Sequence, residues 1–233
     1  MEPVNYILRH GDTLYQLARR YQTTVQCLLA RNLGIDPQNL RVGSSIVINP
    51  GEKCTGAAQP GDIARSTLHD EMRQAWEQHV YWARMATISI AERLRDQDAT
   101  VARLLQNPGD IAGVFEPYFG ASAANELKQL LTTHVQLAGD LVTALRDGQA
   151  DRAKALQKQW YANADQLAEA FAHLSAQYPL EETRRMLYEH LGLETQMTAM
   201  RLAGRYAEDI EAFNNLERQA IAMADYFSRG ITG

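Results

Sequence analysis

Three histidines, an asparagine and a glutamate are the residues whose types and positions could do chemistry in this chain: His79, His134, His190, Asn163 and Glu194. Each of His79, His134 and Asn163 interrupts an apolar seam near the middle of a long helical stretch, and His190 does so early in the last one. Imidazoles converging from separate helices are how bundle cores hold zinc, iron or copper. Three readings stay open: a polar network that fixes helix register or touches a small ligand, a transition-metal site, and acid–base chemistry by an imidazole beside a carboxylate. The paired spacings common in helical metal sites, Glu-x-x-His or His-x-x-x-His, are missing around Glu77-Gln78-His79 and Glu189-His190. An unpaired buried imidazole is costly, so each must find a partner. Glu77, Asp165, Glu189 and Glu194 are the nearby carboxylates, and Trp76, Trp82 and Trp160 are apolar walls. His10, His69 and His173 read as exposed.

The elements that must position these residues are helices. From Leu68 onward the sequence is helical, with breaks at Asn107-Pro108-Gly109, Pro117 to Gly120, Asp147-Gly148 and Tyr178-Pro179. The apolar periodicity predicts helices over about 66–95, 98–106, 121–147 and 149–176, and a last segment over about 180–229 that Gly192 and Gly204 could divide. Its inward positions include Leu202, Ile210, Phe213 and Leu216. The result is a bundle of four or five main helices, and in an up-and-down bundle mid-helix positions fall at similar heights.

The first 50 residues differ. Val4 to Leu8 and Ile46 to Ile48 read as short strands. Between them Asp12 or Thr13 caps a helix bearing Leu14, Leu17, Ala18 and Tyr21 on one face, and Thr24 caps a second with Val25, Leu28 and Leu29. Asn32 and Gly34 end it. Tyr6, Gly11-Asp12-Thr13-Leu14, Leu17-Ala18, Tyr21, Thr24-Val25, Leu28, Asn32, Leu40-Arg41-Val42-Gly43 and Ile46-Val47-Ile48 together resemble a LysM domain from end to end. The resemblance implies a βααβ fold that binds peptidoglycan or chitin-type N-acetylglucosamine glycans in a shallow groove. Carried onto this sequence, the groove is Gly11, Asp12, Thr13 and Leu14 on one side and Asn32, Ile35, Asp36, Pro37, Asn39 and Leu40 on the other. Cys27 departs from the polar residue more usual there.

The expected organisation is multidomain: a LysM module at 1–50, a Pro/Gly-bearing linker at 51–66 and an all-α helical bundle at 67–233. The net charge is −5. Residues 1–50 carry +2, five Arg against Glu2, Asp12 and Asp36, which leaves −7 for the rest. An acidic bulk without a Lys/Arg stripe argues against nucleic-acid binding. No apolar run is long enough for a transmembrane segment. Met1 leads into the first strand without a secretory leader, so the expected route to the wall is a processed form or non-standard delivery. Cys27 and Cys54 read as free thiols, with a single disulfide as the alternative.

The bundle resembles an uncharacterised helical family found behind LysM modules in spore-forming Firmicutes, through Trp76 to Arg84, Trp160 to Asp165, Tyr188 to Leu191 and Met223 to Tyr226. That implies a cellular setting, a cell wall or spore envelope, and no activity. No Walker loop, nucleotide fingerprint, Cys/His nucleophile pair or zinc-peptidase motif is present. Three functions follow. The first is a non-enzymatic glycan-binding anchor whose bundle oligomerises or meets an envelope protein partner. The second is a wall-tethered bundle holding a metal (Zn, Fe or Cu) or small ligand at His79, His134 and His190, with Asn163 and Glu194 nearby. The third is an unrecognised cell-wall enzyme with Glu77 and Glu189 as acids.

Overall fold

The computed structural model describes residues 3–9, 11–32, 35, 40–53 and 60–232, apart from the side chains of residues 26, 60–66 and 232. The chain divides into two compact units, residues 1–70 and 71–233.

In the first unit β1 (Val4–Ile7) pairs antiparallel with β2 (Ser45–Ile48), in a register that sets Tyr6 opposite Ile46 and Val4 opposite Ile48. Strand alternation sends Tyr6, Ile46 and Ile48 inward and leaves Ile7 exposed. Between the strands lie α1 (Leu14–Arg20) and α2 (Val25–Arg31). Thr13 and Thr24 cap them, accepting from the amides of Gln16 and Cys27. Leu8, Leu14, Leu17, Ala18 and Leu28 complete the core with the inward strand residues. The turn after α1 is closed by a Thr23 N–H to Ala18 carbonyl bond with Gln22 in the left-handed region. Cys27 is buried and disulfide-bonded, which overturns the free-thiol expectation. Cys54, the only other cysteine of the chain, lies outside the described residues.

The second unit is helical throughout. Its elements are α3 (Pro60–Ala91), within which the boundary between units falls, α4 (Gln97–Leu104), α5 (Asn107–Arg146), α6 (Ala150–Leu174), α7 (Leu180–Leu202) and α8 (Tyr206–Thr232). Helix α3 begins six residues earlier than the periodicity predicts, because Pro60 carries the fixed φ of a first helical turn. The break expected at Asn107 is the start of α5, with Pro108 at its first turn, and the one expected near Pro117 is a kink at Gly120 (φ 82°, ψ 165°). Of the two candidate dividing glycines, Gly192 stays inside α7 on an exposed face, whereas Gly204 (φ 71°) ends it.

Neighbouring helices pack in the order α5, α6, α7, α8. Helix α3 closes against α8 through Arg73–Asp225 and Arg84–Asp209 ion pairs and a Trp76–Phe227 stack. At the centre Phe115, Phe171 and Phe227, all fully buried, touch one another with ring centroids 5.4, 6.1 and 4.3 Å apart. Burying one such ring stabilises the fold by about 1.5–3 kcal/mol. Ile210, expected inside, is 54% exposed: in the first turn of α8 the inward place is taken by Asp209, buried between Arg84 and Arg201, whereas Leu216, Ala220, Met223 and Phe227 are buried as expected.

Candidate functional site

The loop that opens α1 is built by two residues. Gly11 adopts φ 84°, a conformation other side chains rarely take, and Asp12 Oδ2 accepts from the Arg9 amide at 2.7 Å. Thr13 then caps α1 with its hydroxyl oxygen, and Leu14 is buried beneath. Across from it, Asn32 is fully engaged. Its amide donates to the carbonyls of Leu28 (2.6 Å) and Val47 (2.9 Å), and its Oδ1 accepts from Val47 N–H at 2.7 Å. Asn32 thus ties the end of α2 to β2, and its side chain acts structurally. Ile35 and Leu40 are half-buried against the module core. Asp36, Pro37 and Asn39, the rest of the expected groove, lie outside the described residues, as does His10.

The helical unit answers where the buried histidines find partners. His79, His134 and His190 are each within a few per cent of full burial. Their Nδ1 atoms lie 2.9, 2.9 and 2.8 Å from side-chain amide oxygens of Asn107, Asn163 and Gln219 respectively. Each amide in turn donates to a backbone carbonyl: Asn107 to Ala75 (2.9 Å), Asn163 to Leu130 (3.1 Å) and Gln219 to Met186 (3.0 Å). Those carbonyls belong to the residue four before each histidine. Because the NH2 side of each amide is committed to a carbonyl, its oxygen faces the ring, so Nδ1 must carry the proton. Nε2 is thereby the unprotonated nitrogen of each ring.

Charge is strongly disfavoured here. Burial first, then the nearby His190 and His134, hold His79 down to about 3 against the raising effect of Asn107. Burial holds His134 down to about 4, opposed by its bond to Asn163, and lowers His190 as well. Burial also pushes the Glu194 carboxyl up to about 7. His79 and His190 have ring centroids 5.8 Å apart, Trp76 stands edge-on to both, and Trp160 lies 5.3 Å from His134. The indole N–H groups of Trp76 and Trp160 are buried without a partner. A cavity of about 10 Å³, the size of one water molecule, is lined by Trp160, Glu194 and Thr198.

The sequence-predicted set therefore comes together in part. Asn163 is the clamp of His134, and Asn107 and Gln219, which the periodicity did not single out, serve the other two rings. Of the remaining candidates, Trp82 is half-buried with Arg103 over its ring, Asp165 pairs with Arg184, and Glu189 is exposed and paired with Arg185. Among the described residues no group of three or more His, Cys, Asp or Glu side chains could hold a metal ion, and no helix is long and apolar enough to cross a membrane.

No curated protein and no solved structure matches the chain. Residues 6–49 match the LysM domain family. With its paired strands, its two capped helices and the Gly11–Leu14 loop, this stretch is a LysM domain, a module that binds peptidoglycan and related N-acetylglucosamine glycans.

Proposed function

We propose that this chain is a non-enzymatic, wall-associated protein in which the LysM domain holds peptidoglycan and the helical unit is the part it delivers to the wall. The observation that carries the reading is the LysM match over residues 6–49 together with the Arg9–Leu14 loop, whose backbone is shaped by Gly11 and Asp12. A groove lined by backbone and short side chains suits an uncharged sugar with many hydroxyl and acetamido groups. Among the described residues the groove has Gly11, Asp12 and Thr13 on one side and Ile35 and Leu40 on the other, with Asn32 bracing the second wall and Leu14 buried beneath the loop; Asp36, Pro37 and Asn39, which the LysM resemblance adds, lie outside the described residues. A spore envelope is one wall setting in which such a protein would serve. One LysM copy gives weak retention, so the bundle contributes by bringing copies together, as a homo-oligomer or with an envelope protein.

The test is sedimentation of the full chain with insoluble peptidoglycan, compared with a chain lacking residues 1–50. Retention should vanish with the module. A truncated chain that sediments equally well overturns the reading.

A further inference from the structure

The three histidine clamps are one device used three times. Each amide follows its histidine by 28, 29 and 29 residues. Four, five and eight positions after each amide come Ile111, Ala112 and Phe115; Leu167, Ala168 and Phe171; and Met223, Ala224 and Phe227, all buried in one core. Fourteen positions after each histidine the chain takes a positive φ, at Arg93 (53°), Gly148 (68°) and Gly204 (71°). The helical unit therefore holds three hairpins whose positions compare one for one.

That comparison singles out the third hairpin. Four positions flank each clamp: one before and three after the histidine, and four before and three after the amide. In the first hairpin they are Gln78, Trp82, Arg103 and Asp110, and they close on one another. Arg103 crosses from α4 to donate to Gln78 at 3.1 Å, lies over the Trp82 ring at 5.0 Å and faces Asp110 at 3.9 Å. In the second they are Thr133, Leu137, Gln159 and Gln166, none of them charged. In the third they are Glu189, Leu193, Asn215 and Ala222, and they line an open cleft of about 430 Å³ between α7 and α8.

This cleft is also charged. Arg185 on α7 stands where the other hairpins have Gln74 and Gln129, and Arg218 on α8 where they have Gln106 and Ala162. Two Arg against Glu189 give the lining +1, while residues 51–233 as a whole carry −7. The bonds of these side chains stay on their own helix: Arg185 with Glu182 (2.8 Å) and Glu189 (3.3 Å), and Arg218 with Asn215 (2.5 Å). Among the described residues Arg218 has no carboxylate partner. Met186, Leu193 and Ala222 supply apolar lining, and the floor is the third clamp, where Gln219 donates to the Met186 carbonyl at 3.0 Å.

A complementary occupant places a carboxylate within reach of the guanidiniums, which bind carboxylates through paired N–H groups. A lining of +1 suits one carboxylate better than a phosphate monoester, which brings a charge of about −1.5 to −2 towards Glu189. Asn215 can pair with a peptide group, the apolar lining with small aliphatic side chains, and Glu189 with an amine. A volume of this size belongs to the range of small-ligand sites. We propose that the α7–α8 cleft binds a short peptide with a free C-terminal carboxylate, the chemistry of the peptide stems of peptidoglycan. The choice of stem peptide rests on the wall reading above; the cleft and its charge do not. Glycan and peptide would then be held by different units of one chain, which strengthens the weak grip of a single LysM copy.

The test titrates the isotope-labelled full chain with the synthetic stem pentapeptide, the same peptide amidated at its C-terminus, inorganic phosphate, and N-acetylglucosamine oligomers, each followed by amide NMR shifts. Wild type should bind the free-acid peptide saturably, with shifts gathered at residues 185–193 and 215–222. Amidation removes the carboxylate and Arg218→Gln removes the guanidinium, and each should weaken binding about 10-fold or more, the usual effect of losing a charged hydrogen bond. Ala222→Phe fills the cleft and should abolish binding. Positions 218 and 222 are both exposed, so both variants should keep the wild-type urea midpoint. The site is overturned by absence of saturable binding, by equal binding of the amidated peptide, or by a preference for phosphate. Binding that Arg218→Gln and Ala222→Phe both leave unchanged overturns it too. The oligomers keep this result apart from the glycan reading, since their shifts belong to the Gly11–Leu14 loop and should be indifferent to Arg218→Gln.

Discussion

Replacing Asn107 by Leu asks how much each clamp is worth. Asn107 is wholly buried, and it both receives the His79 Nδ1 proton at 2.9 Å and donates to the Ala75 carbonyl at 2.9 Å. Leu is close in size, so little cavity forms and the cost is polar. Two hydrogen bonds at about 1 kcal/mol each are lost, and a buried ring N–H left without a partner adds about 1–3 kcal/mol. The single variant should lose about 3–5 kcal/mol. His79 cannot escape by moving its proton, because Nδ1 would then be an unpaired acceptor in the same place. In His79→Phe with Asn107→Leu both partners are apolar and the orphan disappears, so the double variant should be more stable than the sum of the single losses predicts, by about 2 kcal/mol. Equilibrium urea unfolding, with m-values compared across the four proteins, measures this. Additivity within about 0.5 kcal/mol would refute the clamp as an energetic unit. The same cycle on His134 and Asn163 should give a similar coupling, because the two pairs share one hydrogen-bond geometry.

Acidification should destabilise the helical unit. A histidine kept neutral by burial holds fewer protons folded than unfolded, so its stabilising effect is full above the unfolded value near 6.5 and is lost as pH falls. With His79 near 3 and His134 near 4, each costs about 2 kcal/mol between pH 7 and pH 5, at 1.36 kcal/mol per pH unit, and His190 acts in the same direction. Glu194 works the other way: its carboxyl, raised to about 7, recovers about 2 kcal/mol over that range. A net loss of at least about 2 kcal/mol is expected in the urea midpoint, and a flat or rising profile would contradict it. Gly230→Ala should be severe, because a Cβ there overlaps Cε1 of Tyr178, a fully buried ring pinned by its O–H bond to the Phe227 carbonyl. About 3 kcal/mol is expected from thermal or urea unfolding, and less than 0.5 kcal/mol would mean the ring yields freely.

Much of the fold was legible because local chemistry and global packing agree. Thr13 and Thr24 cap α1 and α2 as their positions suggest, and the strand alternation buries Tyr6, Ile46 and Ile48. Misreadings arose where a side chain's role depends on a distant partner. Ile210 fits an apolar stripe by spacing, yet the ion pairs of Asp209 turn that face outward. Asn32 resembles a groove residue, yet its amide is spent on Leu28 and Val47. The histidines were visible as interruptions of apolar seams, but Asn107 looked like part of a helix break and Gln219 was not singled out. The signal that finds them is their near-constant spacing from the histidines, 28, 29 and 29 residues, readable once the chain is searched for an internal repeat. Cys27 pairs despite looking like an isolated thiol, since burial and pairing are tertiary facts that a count of two cysteines does not decide.

The glycan claim meets its most direct test in binding of the full chain to purified peptidoglycan and to soluble N-acetylglucosamine oligomers, followed by amide NMR shifts. The account predicts saturable binding with shifts confined to the Gly11–Leu14 loop and the 35–40 stretch, and sedimentation lost on removal of residues 1–50. Shifts confined to the helical unit, or retention on the wall without residues 1–50, would contradict it.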